Sequence, residues 1–296
     1  MSGSELSKPH PIVLACGIAR FDAIRERFAE WLRLLNIELP DSGHSFKGIK
    51  SHLTENGFEV HHTLVSFAAD LETRATELGD QITGILDANA ATKVHIIAHS
   101  MGGLDARTLI VREPDWAERI ASLTTIGTPH WGTPVADRLL EKGLGEWIES
   151  LETVIDISGS RDLGTEARRE FNAAHEAAEA DNQVIYQAVW SKTKEVFRPL
   201  RKAAELMPDC DNDGLVPSSS QRWTEELISS TKSKRIVQIE FPFPADHLNQ
   251  LGWWGPSELK SPLQNIAAIA EWKRRFRETE SRVREFYLKI ARDLPG

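Results

Sequence analysis

The chain has 296 residues, of which 41% are hydrophobic and 27% charged, proportions that are ordinary for a soluble globular protein able to bury a substantial core. The formal net charge of −9 excludes the basic composition typical of nucleic-acid-binding proteins, and no apolar run approaches the roughly 18 to 20 residues that span a bilayer. The N-terminus lacks the basic start and apolar core of a signal peptide, so the sequence predicts a cytoplasmic protein, although an exported chain with its signal removed would look the same.

Strand and helix patterns alternate along the chain. Short apolar or alternating runs, bounded by glycine, proline or polar turns, predict strands within 11–17, 57–67, 94–98, 120–127, 184–190 and 235–241. Apolar residues at helical spacing predict helices over 21–35, 68–89, 101–111 and a closing helix with a stripe of Leu263, Ile266, Ile269, Trp272 and Phe276. This alternation predicts an α/β fold, a mostly parallel sheet with helices on both faces.

One segment, 134–182, breaks the alternation because it contains helical patterns but no convincing strand. Within it, apolar side chains from Trp147 to Ile155 form a single stripe. We interpret the segment as a helical lid over the carboxyl ends of the strands, where open parallel sheets bind ligands; the alternative is an ordinary helix facing the core. The predicted organisation is a single domain over 1–296, with a core of 11–133 and 183–296 and the helical insertion between them.

The stretch VHIIAHSMGGLDARTLI (94–110) predicts a buried strand that stops at Ser100 and a helix that begins at once. A serine between the two lies on a sharp turn, which needs small neighbours, and Gly102 and Gly103 supply them. Its hydroxyl would project above the sheet beside the helix N-terminus, the geometry of a nucleophile elbow with the usual pattern Gly-x-Ser-x-Gly. Ala98 takes the first position here, where the requirement is a small residue. A purely structural turn is the alternative interpretation.

A serine nucleophile needs a base, and the chain contains ten histidines. His247, in FPADHLNQLGW, follows the last predicted strand and is placed to reach back over the sheet. His99 is adjacent to Ser100, but its ring should point away because consecutive strand residues face opposite sides. His61, His62 and His95 lie inside predicted strands, and His44 and His175 lie in segments that do not follow a strand end. We therefore predict His247 as the base.

An acid should orient this histidine, and PDCDNDGLVP offers Asp209, Asp211 and Asp213 after the penultimate strand of the predicted sheet. We favour Asp213, because its Asp-Gly turn is the tightest and leads directly into apolar residues. The pattern D-x-D-x-D-G also begins an EF-hand calcium loop. Pro217 and the Ser220 at the position that requires glutamate argue against that interpretation, while a looser cation contact at Asp211 stays open.

Ester hydrolysis passes through an oxyanion, which needs preorganised donors. The backbone N–H of Met101, directly after the nucleophile, is one candidate. The second is the N–H of Ile18, in the loop after the first strand, where Gly17 allows the backbone to turn. We predict substrate contacts for residues close to these groups, namely Gly17, His99, Trp131, Leu215 and Val216.

Four motifs stand in order along the chain: PIVLACGIARF, AHSMGG, IGTPHWGTPVAD and NDGLVP…DHLNQ. Together they resemble the bacterial true lipases of the α/β-hydrolase fold, of the Pseudomonas and Burkholderia type, over most of residues 11–254. The resemblance implies a serine carboxylester hydrolase, a lipase or esterase, with a triad of Ser100, Asp213 and His247. It also implies oxyanion donors at the two predicted positions and a mobile lid over about 134–160.

Two positions depart from the pattern of these lipases. Cys16 stands where they usually have histidine, and Asn249 stands where they have an aspartate that binds a structural calcium ion. We therefore predict no cofactor, and the missing ligand argues against calcium. The predicted partner is a small-molecule or lipid ester, with transient contact at a lipid interface and no nucleic acid.

Three other functions fit the same scaffold. An acyltransferase or a polyester depolymerase would form the same acyl-enzyme but use a different acceptor or substrate. A non-catalytic binding protein that retains the fold is a further alternative, which the replacement at Cys16 keeps open.

Overall fold

A sheet of parallel strands organises the computed structural model of the chain, which describes residues 9–17, 45–66, 69–142, 158–197, 200–253 and 266–295. In chain order the strands are β1 (Ile12–Cys16), β2 (Val60–Thr63), β3 (Val94–His99), β4 (Ile120–Ile126), β5 (Ile185–Trp190), β6 (Glu226–Ile228), β7 (Ser233–Arg235) and β8 (Val237–Glu240). The 6-stranded sheet has the order β2-β1-β3-β4-β5-β8, and every neighbouring pair in it is parallel. Separately, β6 and β7 form a short antiparallel pair that the sequence analysis missed, because strands of 3 residues are too short to show an apolar pattern.

The predicted apolar runs form strands here because both faces of the sheet are covered. Alternate residues of β1 enter different cores, with Ile12 and Leu14 in one and Val13 and Ala15 in the other. Strands that are apolar on both sides are stable only when helices exclude water from each face. The predicted α/β architecture, a mostly parallel sheet with helices on both faces, is confirmed.

The helices follow the alternation expected from the sequence. They are α1 (Ile49–Glu55), α2 (Leu71–Asn89), α3 (Met101–Arg112), α4 (Pro114–Arg119), α5 (Pro134–Lys142), α6 (Thr165–Asp181), α7 (Arg201–Ala204), α8 (Ser218–Gln221) and α9 (Ile266–Arg292), with 3-10 turns at Ser158–Leu163 and Asn249–Leu251. The start of α2 lies three residues later than predicted, because the side chain of Asp70 caps the helix by accepting from the N–H of Thr73 at 2.8 Å. The helix predicted over 21–35 lies outside the described residues.

The closing helix α9 packs on one face of the sheet, as its apolar stripe predicts. Phe276, Val283 and Tyr287 are buried in the same core as Ile12 and Leu14. Leu263 and the side chains of Ile266, Ile269 and Trp272, which begin the predicted stripe, lie outside the described part of the chain. None of the described helices is both long enough and apolar enough to cross a membrane.

The predicted insertion is helical where the structure describes it, through α5, the 3-10 turn and α6. Its apolar stripe from Trp147 to Ile155 lies outside the described residues. The helix α6 is attached to α3 by a buried ion pair between Arg107 and Glu179, so the second part of the insertion packs against the body of the fold. The opening of a lid therefore stays a prediction for the part of the insertion before this helix.

Candidate active site

The turn between β3 and α3 holds Ser100 in a strained conformation. Its backbone has φ 57 and ψ −134, and a positive φ is unfavourable for a residue that carries a Cβ. Two hydrogen bonds keep the turn in place: the Ser100 N–H donates to Ile126 O at 2.9 Å, and the Thr128 hydroxyl donates to Ser100 O at 2.8 Å. The serine thus protrudes at the carboxyl end of the sheet, because the strand cannot continue through it.

Close backbone approach around this turn explains the small residues beside it. A Cβ added at Gly102 would lie 2.7 Å from Ala15 O, and one added at Gly103 would lie 2.2 Å from the Thr128 hydroxyl oxygen. A Cβ at Gly17 would lie 2.7 Å from the Met101 nitrogen. The end of β1 and the start of α3 are therefore in direct contact, and no side chain fits between them.

His247 and Asp213 complete a line of hydrogen bonds from the serine hydroxyl. The His247 Nε2 lies 2.8 Å from Ser100 Oγ, and its Nδ1 lies 2.8 Å from Asp213 Oδ2. The backbone adds a further link, since the His247 N–H donates to Asp213 O at 2.9 Å. A carboxylate oxygen only accepts, so Nδ1 carries the proton and Nε2 is free to accept from the serine. The structure thus brings together the three side chains that the sequence analysis selected.

The choice among the three candidate acids depends on where the loop after Pro208 places them. Asp209 and Asp211 are exposed, and Asp211 pairs with Lys192 at 2.8 Å. Asp213 is completely buried, and its Oδ1 accepts from the N–H groups of Leu215 at 3.0 Å and Val216 at 2.8 Å. Backbone amides therefore satisfy one carboxylate oxygen and leave the other for the histidine.

One of the two predicted oxyanion donors lies in the described structure. The N–H of Met101 belongs to the first residue of α3, where helix geometry leaves it without an acceptor in its own helix, and it faces Gly17. An anion beside Ser100 would also experience the positive end of the α3 dipole. Ile18, predicted to supply the second donor, lies outside the described residues.

The predicted substrate contacts lie in different environments. Trp131 is 40% exposed, although its indole N–H donates to Trp223 O at 2.5 Å. Leu215 and Val216 are buried, and their amides support Asp213 as described above. Gly17 lies against the Met101 nitrogen, beside the serine. Their contacts with a substrate stay predictions.

His99 is located differently from the sequence expectation. Its ring does not point away from the site but lies under the His247 ring, with the centroids 4.6 Å apart, and its Nε2 donates to His247 O at 2.9 Å. Strand alternation ends at His99 because Ser100 has left the extended conformation, so the alternation rule does not apply across this pair. The side chain is 1% exposed, and burial lowers its pKa well below the usual value. The buried ring thus contacts the His247 loop, and its predicted contact with a substrate stays a prediction.

The sequence analysis overlooked two buried residues in the His247 loop. Asp246 accepts from the N–H groups of Phe197 at 2.7 Å, Leu248 at 2.9 Å and Asn249 at 2.8 Å, and burial raises its pKa to about 6. Gln250 is completely buried and contacts Asp213. The only sequence signal for either was its position next to a candidate catalytic histidine.

The calcium site implied by the resemblance does not fit the residues present. The side-chain oxygen of Asn249 accepts from the Asp246 N–H at 3.1 Å, and its amide nitrogen donates to Trp253 O at 2.9 Å. The Asp246 carboxylate is likewise used by backbone amides. Within the described ranges, no three histidine, cysteine, aspartate or glutamate side chains cluster closely enough to hold a metal ion.

Cys16 ends β1 directly opposite His99 in the sheet register. Burial raises the pKa of its thiol to about 12, and the nearby Ser45 hydroxyl only partly offsets that effect. The thiol therefore stays protonated at neutral pH and is not a competing nucleophile.

Comparison with known proteins shows related chains. The chain is 30% identical over 260 residues to Triacylglycerol lipase 2 of Saccharomyces cerevisiae, which covers 83% of this chain and 72% of that protein. A triacylglycerol lipase of Pseudomonas fragi is 35% identical over 130 residues, covering 44% of this chain and 38% of the lipase. The family model of the PGAP1-like alpha/beta domain matches residues 60–156, a range that contains Ser100 but neither Asp213 nor His247.

Solved structures share the fold. The mature form of a Bacillus licheniformis lipase superposes with a TM-score of 0.59 at 16% identity, covering 83% of this chain and 89% of that one. A metagenomic carboxyl esterase superposes with a TM-score of 0.57 at 16% identity, covering 98% and 82% of the two chains. Sequence similarity this low makes the likeness one of architecture.

Proposed function

The chain belongs to the lipases of the α/β-hydrolase fold, and we propose that it cleaves acyl esters through an acyl-enzyme on Ser100. The observation that carries the proposal is the line of contacts in which His247 lies 2.8 Å from Ser100 Oγ and 2.8 Å from Asp213. A strained serine in contact with a histidine that a buried carboxylate orients is the arrangement needed to activate a hydroxyl at neutral pH.

Acylation follows from this geometry. His247 Nε2 accepts the proton of Ser100 as Oγ bonds to the ester carbonyl carbon, and the carbonyl oxygen becomes an oxyanion. The Met101 N–H and the α3 dipole stabilise that charge. Asp213 Oδ2 accepts the hydrogen bond from the Nδ1–H of His247 and stabilises the imidazolium. The carbonyl then re-forms, the ester C–O bond breaks, and the alcohol leaves with the proton from Nε2.

Deacylation repeats these steps with water. His247 takes a proton from water, whose oxygen bonds to the acyl carbon and re-creates the oxyanion beside Met101. Collapse of this intermediate breaks the bond to Ser100 Oγ, which recovers a proton from Nε2. The carboxylic acid is released and the site returns to its starting state.

We further propose that the substrates are acylglycerols or related lipid esters. The names of the relatives, triacylglycerol lipases of yeast and bacteria, support this, and those of Pseudomonas fragi and Burkholderia plantarii support a place near the Pseudomonas and Burkholderia type. Trp131, just before the insertion, and Leu140, within its first helix, are 40% and 50% exposed and offer apolar surface for transient contact with a lipid interface. The relatives' names favour hydrolysis over acyl transfer.

Replacement of the nucleophile tests the function. We expect Ser100→Ala to lower the hydrolysis of short aryl esters and of tributyrin by about 10⁴-fold or more, because no acyl-enzyme can form. A fluorophosphonate should label the unmodified protein once, at Ser100. Ser230→Ala, an exposed serine in the turn between β6 and β7, serves as the control and should keep full activity.

The opposite outcome is equally clear. A folded Ser100→Ala protein that turns over esters at the rate of the Ser230→Ala control would show that another group performs the chemistry. Phosphonate labelling at any other residue would point to that group.

A further inference from the structure

Gln250 is a buried amide that joins the His247 loop to the carboxylate of Asp213, and the reaction steps above make no use of it. It lies in the 3-10 turn Asn249–Leu251 and is 0% exposed. Its Nε2 donates to Asp213 Oδ2 at 3.0 Å and to Ser191 Oγ at 2.7 Å, and its Oε1 accepts from His99 Nε2 at 3.0 Å. Both ends of the amide are therefore hydrogen-bonded.

The neighbours of this side chain determine which way its amide points. The Asp213 carboxylate only accepts, and the Ser191 hydroxyl already donates to Ala245 O at 2.8 Å, so the end that faces them must be the NH₂ group. The oxygen then faces His99, whose proton must be on Nε2. His99 Nδ1 is buried without a hydrogen-bond partner, so a proton there would have no acceptor, whereas on Nε2 it has two.

Close packing and backbone hydrogen bonds hold Gln250 in place. Gly127, at the end of β4, has φ +59, and a Cβ there would lie 2.2 Å from Gln250 Oε1. The backbone carbonyl oxygen of Gln250 accepts from the Tyr287 hydroxyl at 3.1 Å, and the backbone N–H of Gln250 donates to Asp246 O at 3.2 Å. The amide is thus confined by packing and hydrogen bonds before any substrate binds.

We propose that Gln250 is a positioning residue for the reaction, a role that rests on the proposed function of Ser100, Asp213 and His247. Asp213 Oδ2 accepts two hydrogen bonds, one from His247 Nδ1 and one from Gln250 Nε2. The second donor fixes the rotation of the carboxylate and keeps Oδ2 aligned with the histidine. Gln250 therefore acts on catalysis through Asp213, without contact with the reacting ester.

Removal of the amide tests this role. We expect Gln250→Met to lower kcat for a short aryl ester by about 10- to 100-fold, the loss expected when a hydrogen bond to a charged group is removed. The KM should stay within about threefold of the unmodified value. The matched control is Gln221→Met. Gln221 is also 0% exposed and hydrogen-bonded to Ser191 and Val216, but its amide makes no contact with Asp213. The kcat of Gln221→Met should stay within about threefold of the kcat of the unmodified protein.

A second variant gives a readout that loss of packing would not change. Gln250→Glu keeps the shape of the side chain but places a second carboxyl group beside Asp213, at the position where the amide now donates over 3.0 Å, and two buried carboxyl groups this close share one proton. We expect kcat against pH to fall as that shared proton is lost, an ionisation that the unmodified protein lacks. The titratable groups that surround position 250 are Asp213, His247, His99, Asp246 and Tyr287.

The outcomes separate this proposal from the one on which it rests. An unmodified protein that cleaves no ester overturns the proposed function itself. With an active protein, an equal loss of kcat in Gln250→Met and Gln221→Met, or an unchanged pH profile in Gln250→Glu, overturns only the role of Gln250. Where Gln250→Met does not fold, the pH profile of the isosteric Gln250→Glu decides.

Discussion

At the scale of single residues, the site depends on atoms that are absent as much as on those present. Gly102 lies against Ala15 O and Gly103 against the Thr128 hydroxyl, so neither can carry a Cβ unless the backbone moves. Because Ser100 is held at φ 57 between these contacts, movement of the backbone would change the direction of its hydroxyl. The two glycines therefore keep the Ser100 hydroxyl in the direction that the reaction needs.

We expect Gly102→Ala to destabilise the fold by about 1 to 3 kcal/mol, the usual cost of overpacking, and to lower kcat at least about 10-fold. The control is Gly84→Ala, in the middle of α2, where an added Cβ meets nothing within 4 Å. There the substitution should raise the free energy of unfolding by about 0.5 to 1 kcal/mol, because alanine favours the helix. Denaturant unfolding and ester turnover of both variants measure the difference, and similar behaviour of the two would contradict the argument.

At the scale of elements, the contact between α3 and α6 links the nucleophile helix to the insertion. Arg107 donates from Nε to Glu179 Oε1 at 2.7 Å and from Nη2 to Glu179 Oε2 at 2.8 Å, and both side chains are 0% exposed. The guanidinium also lies 3.9 Å from the Trp223 ring centroid, and Trp223 stacks on His130. A pair buried this completely holds the two helices together only while both charges are present.

Removal of one charge from this pair should be costly. We expect Glu179→Gln to lower the free energy of unfolding by about 3 kcal/mol or more, because Arg107 stays buried without a counter-charge. Glu166→Gln, which removes the exposed partner of Arg169, should change it by less than about 0.5 kcal/mol. Urea unfolding of the two variants compares them directly. A small, equal effect would mean that solvent reaches the Arg107 pair.

At the scale of the whole molecule, several buried histidines link stability to pH. Burial lowers the pKa of His95 to about 4 and lowers the pKa values of His99 and His130 well below the usual range. On acidification the unfolded chain takes up protons at these positions before the folded chain does, so folding loses stability. Asp246 has the opposite sign, since burial raises its pKa to about 6 and its contribution grows as pH falls.

Burial also raises the pKa of Asp105, but since three histidines oppose these two carboxyl groups, we expect the free energy of unfolding to be lower at about pH 5 than at about pH 7.5. His95→Gln should reduce the change in the free energy of unfolding with pH, because a buried group that resists protonation has been removed. His95 contacts Ser122 at 2.8 Å inside the sheet, away from the serine turn, so ester hydrolysis near neutral pH should persist. Denaturant titrations at several pH values check the sign, and a slope unchanged by His95→Gln would exclude this residue as its source.

Most of the described sheet could be predicted from the sequence because buried strands and amphipathic helices have local patterns. The runs around Ile12, Val94 and Ile120 form strands as expected. Ser100, Asp213 and His247 could be selected because each follows a strand or a tight turn, and their contact within 2.8 Å agrees with that selection. Their catalytic roles stay predictions until the serine variant is measured.

The amino-acid sequence alone determined the order of elements and the types of side chain available at the ends of the strands, because these depend on spacing between near neighbours. Only the tertiary structure decided which partners meet: that His99 lies beneath His247, that Gln250 donates to Asp213, and that Arg107 pairs with Glu179. The members of each pair are far apart in the chain. Their contact depends on how loops and helices from different strands pack together, and no local pattern encodes that.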